Sequence, residues 1–94
     1  MLWKATEWQS ETGYWHCNCV DNLAGGSSNW YLPARILGIS PADFLKMLIN
    51  DFKPDDIFVD KEKCLVFFSW KSQTQMRKYK NWINKKARDV NFQI

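Results

Sequence analysis

The feature that most constrains the fold is an amphipathic pattern in the last quarter of the chain. Apolar residues recur there at helical spacing and, wound at about 100° per residue, form one stripe: Met76, Tyr79, Ile83, Ala87 and Val90. Ser72 precedes the segment and is typical of a helix N-cap. We therefore expect a long helix that docks its apolar stripe on a core.

The opposite side of this helix is predicted to be basic. Residues 72–94 hold six of the thirteen Lys and Arg residues against one acid, a net charge of +5, which leaves −2 for residues 1–71. The polar side is formed by Arg77, Lys78, Asn81, Asn84, Lys85 and Arg88. Such a surface can present cations to an acidic partner.

The remaining elements follow from alternation and turn chemistry. Residues 2–8 and 14–20 alternate around a polar turn, which predicts an N-terminal β-hairpin, and residues 57–59 and 64–70 predict a second hairpin. Residues 30–32 and 90–94 are interpreted as short strands. Ser40 and Pro41 predict the start of a helix that ends before Pro54.

These elements predict an α+β fold in a single domain, with a mostly antiparallel sheet and two helices. From residue 30 the order is strand, helix, strand, strand, helix, strand, a ferredoxin-like or split βαβ plait. Residues 1–20 form the preceding hairpin, 21–29 a flexible Gly/Ser loop and 30–94 the plait. A chain that is 46% hydrophobic can build a core, for which we expect Phe44, Leu48, Phe52, Val66, Phe68, Met76 and Ile83.

The central strand carries a resemblance to a known family. Residues 63–70 read Lys-Cys-Leu-Val-Phe-Phe-Ser-Trp, and the type and position of Lys63, Phe67 and Trp70 resemble the third-strand motif of RNA-recognition-motif domains. Both glycines of that motif are missing, and residues 30–32 match the first-strand motif only loosely. The resemblance implies a nucleic-acid surface on which Phe67 stacks a base and to which Lys63 contributes.

A local likeness to a helix-turn-helix is a further alternative. Residues 34–40 resemble its turn, with a small residue, then Gly38, then Ser40 as a cap. Pro33 is expected to truncate the first helix, and the second helix carries little basic character. A helix start docked on the core is therefore preferred.

No catalytic or cofactor motif is present in the sequence, so we do not expect an enzyme, a cofactor or a small-molecule substrate. A zinc site built from His16, Cys17, Cys19 and Cys64 is disfavoured because neighbouring strand residues point to opposite faces. The odd number of Cys residues is typical of a reducing, cytoplasmic compartment. Neither a membrane span nor a signal peptide is predicted.

The leading hypothesis is a small binding module for nucleic acid. It assigns the contacts to Arg77, Lys78, Asn81, Lys85 and Arg88 on the basic helix. The same face also suits an acidic protein surface. The alternative hypothesis is a protein-directed interaction or inhibitor protein of the phage or mobile-element accessory type, in which Trp30 and Trp82 are interface anchors.

Overall fold

Four strands form one antiparallel sheet. The computed structural model describes residues 4–18, 31–60, 62 and 65–92. Strands β1 (Thr6–Gln9) and β2 (Trp15–Asn18) pair with each other, as do β3 (Asp56–Asp60) and β4 (Leu65–Trp70). Because β2 also pairs with β4, the order across the sheet is β1-β2-β4-β3. The protein is thus a small α+β domain, as the sequence predicts at this level.

Two segments expected to be strands, residues 30–32 and 90–94, are not strands over their described residues, 31–32 and 90–92. The segment predicted as a strand at residues 30–32 begins helix α1 (Tyr31–Leu37), with residue 30 outside the described part. Pro33 does not truncate this helix, because it lies in the first turn. Backbone N–H groups of the first turn have no acceptor within the helix, so a proline there removes no helical hydrogen bond. Gly38 ends it with a left-handed φ of 70°, donating to the carbonyl of Arg35 at 3.2 Å.

The end of the chain differs from the prediction in a similar way. Helix α3 (Gln73–Asp89) is followed by Asn91 in the left-handed region, with φ of 52°. The amide of Phe92 then donates to the carbonyl of Ala87 at 2.9 Å, a Schellman ending where residues 90–92 were expected to begin a closing strand. Residues 93 and 94 lie outside the described part. The element order of the described residues is therefore strand, strand, helix, helix, strand, strand, helix, which is not the order of a split βαβ plait.

The second helix begins where Ser40 and Pro41 predict. Helix α2 (Pro41–Met47) is capped by the Ser40 hydroxyl, which accepts from the amide of Asp43 at 3.1 Å. It continues as a π-helical turn, Leu48–Phe52, which Lys53 ends with a left-handed φ of 46°. The last carbonyl of this turn, on Phe52, accepts a 2.7 Å hydrogen bond from the indole of Trp70.

The helices lie on one face of the sheet, which we call the helix face. Tyr79 of α3 packs edge-on against Phe68 at 5.3 Å and stacks with Trp70 at 5.7 Å between ring centroids. Of the predicted core, five residues are buried and Phe52 packs partly buried against them, while the side chain of Val66 lies outside the described part. The five are Phe44, Leu48, Phe68, Met76 and Ile83.

Candidate functional site

The outer side of α3 carries the predicted contact residues. The Ser72 hydroxyl caps the helix by accepting from the amide of Gln75 at 3.3 Å. Four of the five predicted apolar-stripe residues are buried, but Val90 follows the last helical residue and is 56% exposed. All five contact residues that the leading hypothesis places on this helix are exposed. We call them the outer stripe: Arg77, Lys78, Asn81, Lys85 and Arg88. Between the first and the last of them the helix axis rises by about 16 Å.

Arg77 has a partner inside the protein. Its guanidinium donates to both carboxylate oxygens of Glu7 on β1, at 3.0 and 3.2 Å, and Lys80 donates to the same carboxylate at 2.6 Å. Hydrogen bonds from Arg77 and then Lys80 lower the pKa of Glu7 from 4.5 to about 2, and Glu7 raises the pKa of Arg77. This cluster fastens the first turns of α3 to the edge strand and partly neutralises two of the cations counted from the sequence.

The remaining cations of the outer stripe have no such compensation. Lys78, Lys85 and Arg88 form no ion pair with any residue that the structure describes. Lys86, which follows Lys85 of the outer stripe in the chain, lies over the ring of Trp82, with its ammonium 5.9 Å from the ring centroid. Three cations without an ion-pair partner among the described residues therefore lie along one side of this helix.

Asn84 does not belong to the polar face, contrary to the sequence-based expectation. It is buried, and its side-chain oxygen accepts from the amide of Ala5 at 2.7 Å while its side-chain nitrogen donates to the Ala5 carbonyl at 3.3 Å. The amide thus satisfies the backbone just before β1, as a neighbouring strand would. In a helical-wheel projection Asn84 lies about 80° from Met76, at the border of the apolar stripe. At such a border position the projection alone does not distinguish a buried residue from an exposed one.

The other predicted nucleic-acid residues are not brought to the outer stripe. Phe67 lies on the opposite face of β4 from Phe68 and Trp70, half-buried, with its ring centroid 6.2 Å from that of Phe58. Lys63 lies outside the described residues. A ligand on α3 and a base stacked on Phe67 would therefore occupy opposite sides of the molecule.

Of the two predicted protein anchors, the structure describes only Trp82. Trp30 lies outside the described residues. Trp82 is half-buried, with its ring centroid 5.1 Å from that of Phe52 and 6.4 Å from that of Tyr79. Part of this ring supports the core, so Trp82 is less available to a partner than the sequence-based hypothesis requires.

Sequence reasoning missed the surface on the far face, the face of the sheet that points away from the helices. Trp8 and His16 are stacked there, with ring centroids 4.1 Å apart and planes 8° from parallel. Trp8 is 42% exposed and Phe58 is 59% exposed. The alternation of residues 14–18 already predicts that His16 and Cys17 point to opposite faces of the sheet. The rings come together on the far face only because the strands pair Trp8 with His16 and Phe58 with Phe67.

The zinc ligands considered from the sequence are not gathered either. Cys17 is buried on the helix face, whereas His16 lies on the far face, and Cys19 and Cys64 lie outside the described residues. Within the described part, no group of three or more His, Cys, Asp or Glu side chains is placed to hold a metal ion.

Comparisons with protein-family models, with curated proteins and with solved structures gave no match to this chain. No helix among the described residues is both long and apolar enough to cross a membrane.

Proposed function

We propose that the protein is a small non-enzymatic binding module that holds nucleic acid against the outer stripe of α3. The observation that carries the proposal is the alignment of Lys78, Lys85 and Arg88 on one exposed helix side, with no ion pair to any described residue. Cations arranged in this way are available to neutralise phosphates and release their counterions.

The geometry favours an extended polyanion over a single small anion. Lys78 and Lys85 are separated by seven residues, about 10 Å along the helix axis, so one phosphate does not satisfy both. Asn81 lies between them on the same side and supplies a neutral donor. Arg77 remains half exposed beside Glu7, and its guanidinium can still contact a ligand at one end of the stripe.

Fluorescence anisotropy with labelled single-stranded RNA and DNA tests the proposal. The test variant replaces Lys78, Lys85 and Arg88 with Ala. The control variant removes three exposed cations elsewhere, Lys4, Lys46 and Lys71, so the loss of net charge is the same. We expect the test variant to bind at least about tenfold more weakly than the control. Equal affinities would show that net charge, and not the stripe, governs binding.

The protein-directed function is the second candidate, and the far face is the observation that favours it. Trp8 and Phe58 are large exposed rings of the kind that anchor protein interfaces. Two results would favour this candidate over nucleic acid. A protein complex should persist after nuclease treatment, and Phe58→Ser should weaken it while the variant that lacks Lys78, Lys85 and Arg88, the α3 triple variant, should not.

A further inference from the structure

A recess on the far face combines aromatic rings with one carboxylate. It has a volume of about 520 Å³ and is lined by Trp8, Ser10, Thr12, Tyr14, His16, Asp56 and Ser69. Four of these residues form a row across the whole sheet, because Trp8 pairs with His16, His16 with Ser69, and Ser69 with Asp56. The row thus takes one residue from each strand.

The depth of the recess follows from the small residue in the row. Ser69 is 2% exposed and lies between His16 and Asp56 in the row. Its small side chain forms the floor of the recess, and a larger side chain at this position would fill the recess. The stacked rings of Trp8 and His16 form one wall, and Asp56 stands at the other side. A planar group seated above Ser69 would therefore lie between the imidazole ring and the carboxylate.

The turn that borders the recess is held by its own hydrogen bonds. The hydroxyls of Ser10 and Thr12 are 2.9 Å apart, and the amide of Ser10 donates to the carbonyl of Tyr14 at 2.9 Å. The amide of Gly13 donates back to the carbonyl of Ser10 at 2.9 Å, and Gly13 has a left-handed φ of 89°. The border is thus preorganised, which reduces the entropy lost on binding.

The electrostatics of the lining favour a cation. Among the described residues that line it, Asp56 is the only acid and none is Lys or Arg. Burial lowers the pKa of His16 below its usual value of 6.5, against an opposing effect of Asp56, so the imidazole is neutral at pH 7. The faces of the aromatic rings add negative potential. A phosphate-linked base would bring a negative charge toward Asp56, which disfavours a nucleotide in this recess.

We propose that the recess binds an arginine side chain of a partner polypeptide. A guanidinium is planar and weakly hydrated, so it can stack on the imidazole ring while its N–H groups donate to the Asp56 carboxylate. Its five N–H donors also match the hydroxyl oxygens of the border. A lysine ammonium is compact and strongly hydrated and cannot stack in this way, and a methylated ammonium has too few donors for these acceptors.

Titration of the ¹⁵N-labelled protein with a short acetylated peptide, Gly-Arg-Gly amide, followed by NMR, tests the proposal. The matched ligands contain citrulline, which has the shape of arginine without the charge, or lysine. We expect saturable shifts at the Trp8 indole and at the backbone of His16 and Ser69, with citrulline and lysine at least about fivefold weaker. Absence of saturable shifts at these residues, or equal binding of arginine and citrulline, would overturn the proposal.

A pair of protein variants locates the site. Asp56→Asn keeps the size of the side chain and should weaken the arginine peptide about tenfold, whereas Asp89→Asn removes the same charge from the far end of α3 and should leave its affinity unchanged. Equal effects would contradict binding in the recess, as would a guanine mononucleotide that shifts the same residues more strongly. The α3 triple variant should keep full arginine binding, so this proposal and the nucleic-acid proposal can fail separately.

Discussion

The two faces of the sheet use the same strands for different purposes. On the helix face, Phe68 and Trp70 of β4 are buried against Tyr79, and the outer stripe of α3 lies beyond them. On the far face, Phe67 and Ser69 of the same strand lie among partly exposed rings and a carboxylate. The period of two in a strand therefore separates stability from recognition, so substitutions at neighbouring positions should have very different effects.

The largest expected effect comes from Phe68 and its neighbour Phe67. Phe68→Ala should lower the free energy of unfolding by about 3 to 5 kcal/mol, because it opens a cavity beside Tyr79. Phe67→Ala should cost about 1 kcal/mol, because its ring is half-buried on the far face. Urea denaturation of both variants measures the difference. Similar losses at the two positions would show that the far face is also part of the core.

A second comparison lies within α3, between Asn84 and Asn81. Asn84→Ala removes both hydrogen bonds to Ala5 and leaves buried backbone groups without a partner, which should cost about 2 to 4 kcal/mol. Asn81→Ala should change stability by less than about 0.5 kcal/mol, because this side chain is exposed. Thermal unfolding of the two variants is the measurement. A tolerated Asn84→Ala would mean that the connection from α3 to the start of β1 is unimportant.

The smallest of the stability effects concerns Glu7. Its folded pKa of about 2 lies below the ordinary 4.5, so the stability it contributes is fully present above about pH 4.5 and is lost as the pH falls toward 2. Since Glu7 is partly exposed, we expect Glu7→Gln to cost only about 1 kcal/mol at pH 7. The difference from the native protein should vanish near pH 2. A pH-independent difference would indicate that the carboxylate charge is not responsible.

Sequence reasoning predicted the helix face better than the far face, for physical reasons. The caps at Ser40 and Ser72 and four apolar positions of α3 are local signals that the structure confirms, whereas the fifth predicted apolar position, Val90, is exposed. The ends of α1 and α3 were harder to predict, since Pro33 suits a first helical turn as well as an extended segment. Asn91 ends α3 by taking up the left-handed conformation, although the residues around it alternate as a strand would.

The recess on the far face could not be predicted from the sequence. Its four-strand row depends on the register between β2 and β4, which pairs His16 with Ser69, 53 positions further along the chain. No local sequence pattern fixes a register over that distance. The exposure of the outer stripe, in contrast, follows from the helical pattern of the sequence. The polar side predicted for this helix also included Asn84, which is buried, because a polar side chain is expected to be solvated unless a distant backbone group binds it.

The salt dependence of binding to single-stranded nucleic acid tests the central proposal most directly. With about four phosphates neutralised, the logarithm of the association constant should fall against the logarithm of salt concentration with a slope near −3 for the native protein. The variant lacking Lys78, Lys85 and Arg88 should show a slope less steep by about 2, and the control variant lacking Lys4, Lys46 and Lys71 should keep the native slope. Equal slopes for the two variants would contradict phosphate binding by the outer stripe of α3.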